Sequence, residues 1–188
     1  MTSPDRRAVA LLVLLTALNV LSWIDRQIIP AVAPLLIAEL GLTSAQIGLL
    51  YGYAFILCFI LAGTVLGTLA DRLHRPRLIA AGLAVWSLFT GLSGLAHSFA
   101  QLAAARVMVG IGEATLTPAA LAMLSDVFPE RWRARAVGIF ATGLPIGAGL
   151  SLIVAGILAP RYGWRACFLL LGIIGVVAAA VLLWATPA

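Results

Sequence analysis

Lysine is absent from this chain of 188 residues, acidic residues number only seven, and charged side chains of both signs make up 10% of the total. A soluble domain carries about 25% charge and about 45–50% apolar residues. Here 63% of the chain is hydrophobic and the mean hydropathy is +1.11. No polar surface can be assembled from so little, which excludes a soluble enzyme, a nucleic-acid-binding module and a disordered tail. The isoelectric point near 10.2 is not a nucleic-acid signal, because the twelve basic residues are spread thinly between apolar runs. All twelve are arginine, a compositional bias that carries no mechanism. Cysteine is equally scarce. Cys58 and Cys167 each lie inside an apolar run and read as small packing residues, not as a disulfide or metal pair. No metal or other cofactor is expected.

What is present is apolar sequence in blocks. Runs cover residues 8–38, 45–70, 78–96, 99–124, 136–159 and 166–185. A crossing helix needs about 20 apolar residues, and dividing the chain by six leaves about 31 per unit, one crossing plus a short connection. The expectation is an all-α membrane protein of six transmembrane helices, a single bundle over residues 1–188. Gly41 offers a helix stop and Thr43-Ser44 an N-cap after the first run. Arg6 and Arg7 before an apolar stretch resemble a signal peptide, but the stretch is too long and lacks a small-residue cleavage site, so it reads as a retained first helix. With the N-terminus inside, Arg6, Arg7, Arg72, Arg75, Arg77, Arg131, Arg133 and Arg135 fall on the inner side and only Arg161 and Arg165 on the outer. By the positive-inside rule both termini are cytoplasmic, in a plasma (inner) membrane.

An internal repeat is visible. Asp25 precedes Pro30 by five residues, Glu113 precedes Pro118 by five, and the two pairs are 88 positions apart. The segment from Gly67 to Arg72 resembles that from Gly156 to Arg161. Two three-helix units result, about 8–96 and 99–185, and an odd number of crossings inverts the second relative to the first. Pro30 and Pro118 free backbone carbonyls and permit bending. Glycines spaced four apart (Gly48/Gly52, Gly63/Gly67 and Gly143/Gly147) read as close helix packing, with sliding as the sharper alternative.

Four ionisable residues fall inside the runs: Asp25, Arg26, Arg106 and Glu113. Each costs at least about 2.5–3.5 kcal/mol at a helix centre unless paired or hydrated. Counted from the outer helix ends at about 1.5 Å per residue, Asp25 and Glu113 both lie near ~21–23 Å deep. They are expected to share a site, with Arg26 beside Asp25 and Arg106 outward of Glu113. Substrate binding or proton coupling competes with a static pair of ion pairs. A carboxylate that is dry in one conformation and hydrated in another can carry H+ across the membrane.

The stretch Gly67-Thr-Leu-Ala-Asp-Arg-Leu-His-Arg-Pro-Arg77 resembles the signature loop between the second and third helices of the major facilitator superfamily. His74 and Pro76 depart from that pattern. Arg106-Val-Met-Val-Gly-Ile-Gly-Glu-Ala114 resembles its fourth-helix pattern, and Gly163-Trp-Arg-Ala-Cys-Phe168 the entry to its sixth helix. Ile24-Asp-Arg26 together with Gly110-Ile-Gly-Glu-Ala114 is similar to the spinster-like branch. The resemblance implies lysolipid, sphingolipid, organic-anion or sugar-acid transport through a cavity lined by the first and fourth helices. It also implies a cytoplasmic latch of Gly67, Asp71, Arg72 and Arg75, joined by Asp126. The superfamily has twelve crossings, so the expected partners are the lipid bilayer, a small-molecule solute and either a C-terminal six-helix half or a second copy.

Three functional classes compete. The first is a secondary transporter, present as its N-terminal half. The second is a non-transporting truncated fragment or scaffold. The third is an intramembrane serine protease, suggested by Gly91-Leu-Ser-Gly94, but the two histidines, His74 and His97, are wrongly placed to activate Ser93.

Overall fold

The computed structural model describes residues 5–70 and 74–185, and these are helical almost throughout, without a β-strand. The elements are α1 (Arg6–Leu40), α2 (Ser44–Tyr51), α3 (Tyr53–Ala70), α4 (Arg75–Ser93), α5 (Phe99–Glu113), α6 (Leu116–Val127), α7 (Glu130–Ala141) and α8 (Gly143–Ala185). Five apolar helical stretches are long enough to cross a membrane, the last running from Glu130 to Trp184 over 55 residues. The chain is an integral membrane protein.

The breaks follow local chemistry. α1 ends where Gly41 takes φ 64, its N–H bonding to the Ile37 carbonyl, a backbone state that only glycine adopts cheaply. Thr43 then opens α2 with a capping box: the Gln46 side chain accepts the Thr43 N–H at 2.9 Å, and the Thr43 hydroxyl accepts the Gln46 N–H at 3.2 Å.

Three expected runs are subdivided. The 45–70 run breaks at Gly52, at φ −104 and ψ −102, where an added Cβ would stand 2.7 Å from the Gly48 carbonyl oxygen of the same helix. Gly48/Gly52 is thus a helix interruption and not a packing seam. The 99–124 run breaks after Glu113 because Pro118 has no N–H for the Ala114 carbonyl, four residues back. Pro145 likewise frees the Ala141 carbonyl, where α7 gives way to α8. The charged segment 126–135 between two apolar runs is helical at its first two residues and again from Glu130 onward. The gap 160–165 between the last two runs stays helical except at Gly163, at φ 78 and ψ 167, which divides α8 into two legs.

α8 packs against α1 with its first leg and against α4 with its second. Glycines set both contacts. A Cβ at Gly143 would lie 2.5 Å from Asn19 Nδ2, and one at Gly147 would lie 2.5 Å from Trp23 Cβ and 2.7 Å from the Val20 oxygen. On the second leg, a Cβ at Gly172 would lie 2.7 Å from the Gly91 Cα, and one at Gly175 would run into Ser87. α4 meets α5 through Gly82 and Gly112 in the same way. By contrast, Gly48, Gly67, Gly138, Gly149 and Gly156 face open space, and Gly63 reaches only the Ala114 methyl at 4.0 Å. The expected Gly63/Gly67 seam is therefore not made among the described residues.

Two apolar clusters form the core. One holds Leu12, Leu18, Trp86, Val109 and Leu182; the other holds Ile28, Leu36, Leu102, Trp164 and Phe168. Between them fall Ser22 and Asp25 on α1, Thr90 on α4 and Arg106 on α5, while buried Glu113 lies beside the first cluster, between Val109 and Leu116.

At the Gly163 end a clamp ties three elements together. Trp164 Nε1 donates to Glu39 at 2.7 Å, Arg165 pairs with the other Glu39 oxygen, and Arg165 Nη2 donates to the Ala96 carbonyl at 3.1 Å. The guanidinium also lies 4.4 Å over the Trp164 ring. We expect Arg165→Ala to lower the melting temperature of the purified protein by about 2–4 °C, the shift that losing roughly 1 kcal/mol gives a protein of this size. Arg165→Lys, which keeps the charge but not the fork, should recover only part of it. Wild-type melting in Arg165→Ala would show that the clamp is ornamental.

Candidate functional site

All four intramembrane charges come together between α1 and α5, bridged by their side chains. The pairing is crossed. Arg26 Nε donates to Glu113 Oε2 at 2.6 Å, and Arg106 Nη1 stands 3.6 Å from Asp25 Oδ1. Arg26 follows Asp25 in sequence yet does not pair with it, for a geometric reason. Successive helical residues project about 100° apart, so neighbours in sequence cannot face each other. Asp25 turns toward α4 and α5, and Arg26 toward α3. Arg106 and Glu113 share a face but are two turns apart, about 10 Å, too far to pair. Each carboxylate therefore takes its cation from the opposite helix.

Burial separates the two pairs. The side chains of Asp25 and Arg106 are each 3% exposed, whereas Arg26 is 17% exposed against a fully buried Glu113. The inner pair is further tied down. Thr90 on α4 donates its hydroxyl to Asp25 Oδ2, and Arg106 Nη2 donates to the Asp25 backbone carbonyl at 3.2 Å. Yet its satisfaction is incomplete. Asp25 Oδ1, Glu113 Oε1 and the Nε and Nη1 of Arg106 are buried with no hydrogen-bond partner among the described residues. Buried polar atoms are normally paired, and exceptions call for an explanation.

Aromatic side chains surround the arginines. The Arg26 guanidinium lies 4.3 Å from the Phe59 ring centroid, 5.0 Å from Trp23 and 5.1 Å from Phe55. Arg106 stands 5.5 Å from the same Phe55, whose ring is thus shared by two cations. Ring faces attract cations by about 0.5–2 kcal/mol, an attraction that adds to the pairing of Arg26 with Glu113. The sequence reading missed these aromatics and Thr90. The spacing of Phe55 and Phe59, one helical turn, was the available signal, but it reads equally as core.

Pro30 and Pro118 sit close after the charges on each helix. Missing N–H groups release the Arg26 and Ala114 carbonyls, equivalent positions in the 88-residue offset. Of the latch residues, Arg75 at the start of α4 pairs with Asp126 near the end of α6. Gly67 borders open space, and Asp71 and Arg72 lie outside the described residues. Ser93 of the protease-like tetrapeptide donates its hydroxyl back to the Phe89 carbonyl at 2.8 Å.

A helical membrane bundle with a charged crossing of this kind defines a class, and comparison with known proteins gives the family. The Major Facilitator Superfamily profile matches residues 15–188, and the chain belongs to that superfamily. Members of this family similar to the chain are transporters and not enzymes. An MFS-type efflux pump of Mycolicibacterium smegmatis is 33% identical over 95% of this chain and 42% of its own length. A hexuronate transporter of Bacillus subtilis is 30% identical over 94% of this chain and 41% of its own length. The fold matches a bacterial homolog of the human lysosomal transporter Spinster, in an inward-facing and occupied conformation, with a TM-score of 0.90 and 33% identity. That match covers 100% of this chain and 45% of the other. The chain thus spans less than half the length of the relatives it matches.

Proposed function

We propose that this chain forms the N-terminal six-helix unit of a secondary active transporter that works by alternating access and couples a small organic solute to H+. The crossed quartet carries the reading: two carboxylates and two arginines, largely buried, with four polar atoms that make no hydrogen bond among the described residues. Protonating Glu113 removes the charge that holds Arg26. The guanidinium, still cradled by Phe59, Trp23 and Phe55, then becomes the cation that receives a solute carboxylate. Asp25 and Arg106, deeper and braced by Thr90, form the second coupling pair. A small organic anion such as a hexuronate suits two arginines with donors to spare, and the hexuronate relative supports that choice.

Counting the legs on either side of Gly163 separately brings the crossings to six, as two inverted three-helix repeats. Arginine distribution supports cytoplasmic termini in a plasma (inner) membrane. The glycines of α3, α7 and the first leg of α8 that meet little among the described residues, together with the greater length of the relatives, support a second six-helix unit that completes the cavity. Gly67, Asp71, Arg72, Arg75 and Asp126 then form the cytoplasmic latch, whose Arg75–Asp126 pair is formed.

The test is uptake of radiolabelled galacturonate into proteoliposomes driven by a pH gradient, with the complete transporter. Asp25→Asn and Glu113→Gln should each abolish accumulation. If both variants accumulate solute at the wild-type rate, the coupling assignment is wrong.

A further inference from the structure

One buried amide outside the charged quartet ties α1 to the break between α7 and α8. Asn19, 6% exposed, donates from Nδ2 to the Phe140 carbonyl at 2.7 Å, across 121 positions of sequence. The last carbonyls of a helix lose their intrahelical donors and must be served in another way. At Ile139 the service is local, from the Thr142 hydroxyl at 2.6 Å and the Thr142 N–H at 3.1 Å. At Phe140 it comes from α1. The position of the break is therefore tied to another helix and not only to its own.

Packing alone does not call for an amide here. A leucine has nearly the same size and brings no polar group that must be satisfied in an apolar setting. What the amide adds is a direction. Gly143 lies directly on Asn19, where an added Cβ would stand 2.5 Å from Nδ2 and 2.8 Å from Cγ. One turn further along both helices, Gly147 lies on Trp23 in the same way. A glycine surface brings backbones together but has no side chain to resist sliding. The Asn19 hydrogen bond supplies the fixed point that the two glycines lack.

The contact leads to the charged site. Asn19, Trp23 and Arg26 are spaced four and three apart, so they share one face of α1. Trp23 lies between the Gly147 contact and the Arg26 guanidinium, which stands 5.0 Å from its ring. A shift of the first leg of α8 along α1 displaces Trp23, and with it one wall of the aromatic cradle.

We propose that Asn19 is a positioning residue for Arg26. By capping the α7–α8 break from α1 it locks the register of the first leg of α8, and that register holds Trp23 beside the guanidinium. The proposal rests on the reading of Arg26 as the group that receives a solute carboxylate. Asn19 acts through Trp23 and not on the solute.

The test uses the complete transporter labelled with 5-fluorotryptophan, its 19F spectrum recorded in detergent and Trp23 assigned by Trp23→Phe. Galacturonate binding is measured on the same samples by titration calorimetry. Asn19→Ala should shift or split the Trp23 resonance, leave that of Trp164 in place, and weaken galacturonate binding about tenfold. Asn19→Asp keeps the size of the side chain. Its carboxylate cannot donate a hydrogen bond, but its protonated form can. The Trp23 resonance of this variant should therefore be displaced at pH 8 and approach that of wild type at pH 5, each compared with wild type at the same pH. A static brace would lower the melting temperature and leave both the Trp23 resonance and the affinity unchanged, which overturns the proposal. A displaced resonance with wild-type affinity also overturns it, since Trp23 then moves without consequence for Arg26. If wild type itself binds no galacturonate while the resonance still moves, the sugar-acid reading falls and the hold of Asn19 on Trp23 stands.

Discussion

Arg106→Met will destabilise the folded protein by about 3–5 kcal/mol, the usual cost of stranding one member of a buried ion pair. The stranded group is Asp25, 3% exposed and 3.6 Å from the missing guanidinium. Thr90 supplies only one hydrogen bond to it, and the backbone carbonyl of Asp25 loses its side-chain donor as well. Adding Asp25→Leu in the same molecule should restore most of that stability, because an apolar pair of similar volume often serves as well as a buried salt bridge. The measurement is a double-mutant cycle read by denaturant titration in detergent. Transport by the stable double variant then separates the two readings of the quartet. A static brace predicts that Arg106→Met/Asp25→Leu both folds and transports; a coupling pair predicts that it folds and fails. Equal stability of Arg106→Met and wild type would show that the pair is hydrated and not buried at all.

Gly147→Leu should be at least as damaging. A Cβ at this position already stands 2.5 Å from Trp23 Cβ and 2.7 Å from the Val20 oxygen, both parts of α1 that cannot swing away cheaply. Overpacking of this kind commonly costs about 1–3 kcal/mol and more where backbone must move. Here α1 has to separate from the first leg of α8, and Trp23, which stacks on Arg26, moves with it. The expected outcome is poor insertion or a large fall in melting temperature. Gly149→Leu, two residues on and facing open space, is the control and should be tolerated in the isolated chain. Should the two variants melt alike, the close approach of α1 and α8 is not what holds the bundle.

Much of the protein was legible before any coordinates. Scarce charge and blocks of apolar sequence are sufficient for a helical membrane protein, because a backbone in lipid must satisfy its own hydrogen bonds and the helix is the way a single segment does so. The same logic exposes Asp25, Arg26, Arg106 and Glu113, since lipid makes an unneeded charge expensive. Helix rise alone led to the expectation that Asp25 and Glu113 share a site, and in the structure each pairs with an arginine of the other's helix.

Other features depended on neighbours. Which carboxylate takes which arginine follows from the rotation of α1 against α5, and that is set by side chains packed elsewhere on both helices. Phe55 and Phe59 are indistinguishable in sequence from lipid-facing residues; only the position of α3 makes them a cradle for Arg26. Glycine spacing was the least reliable guide. Gly143 and Gly147 do carry a contact, but so do Gly172 and Gly175, which are three apart, while Gly63/Gly67 meets almost nothing and Gly52 ends a helix. A small residue permits close approach without requiring it, and the partner helix decides.

The sequence by itself determined the solvent, the helical class and the identity of the charged residues, because each follows from the cost of placing a group in hydrocarbon, a property local to the residue. Tertiary structure alone decided the crossed pairing and the aromatic cradle. Those depend on relative helix rotation and separation, which arise from the whole packed bundle and from no single stretch of the chain.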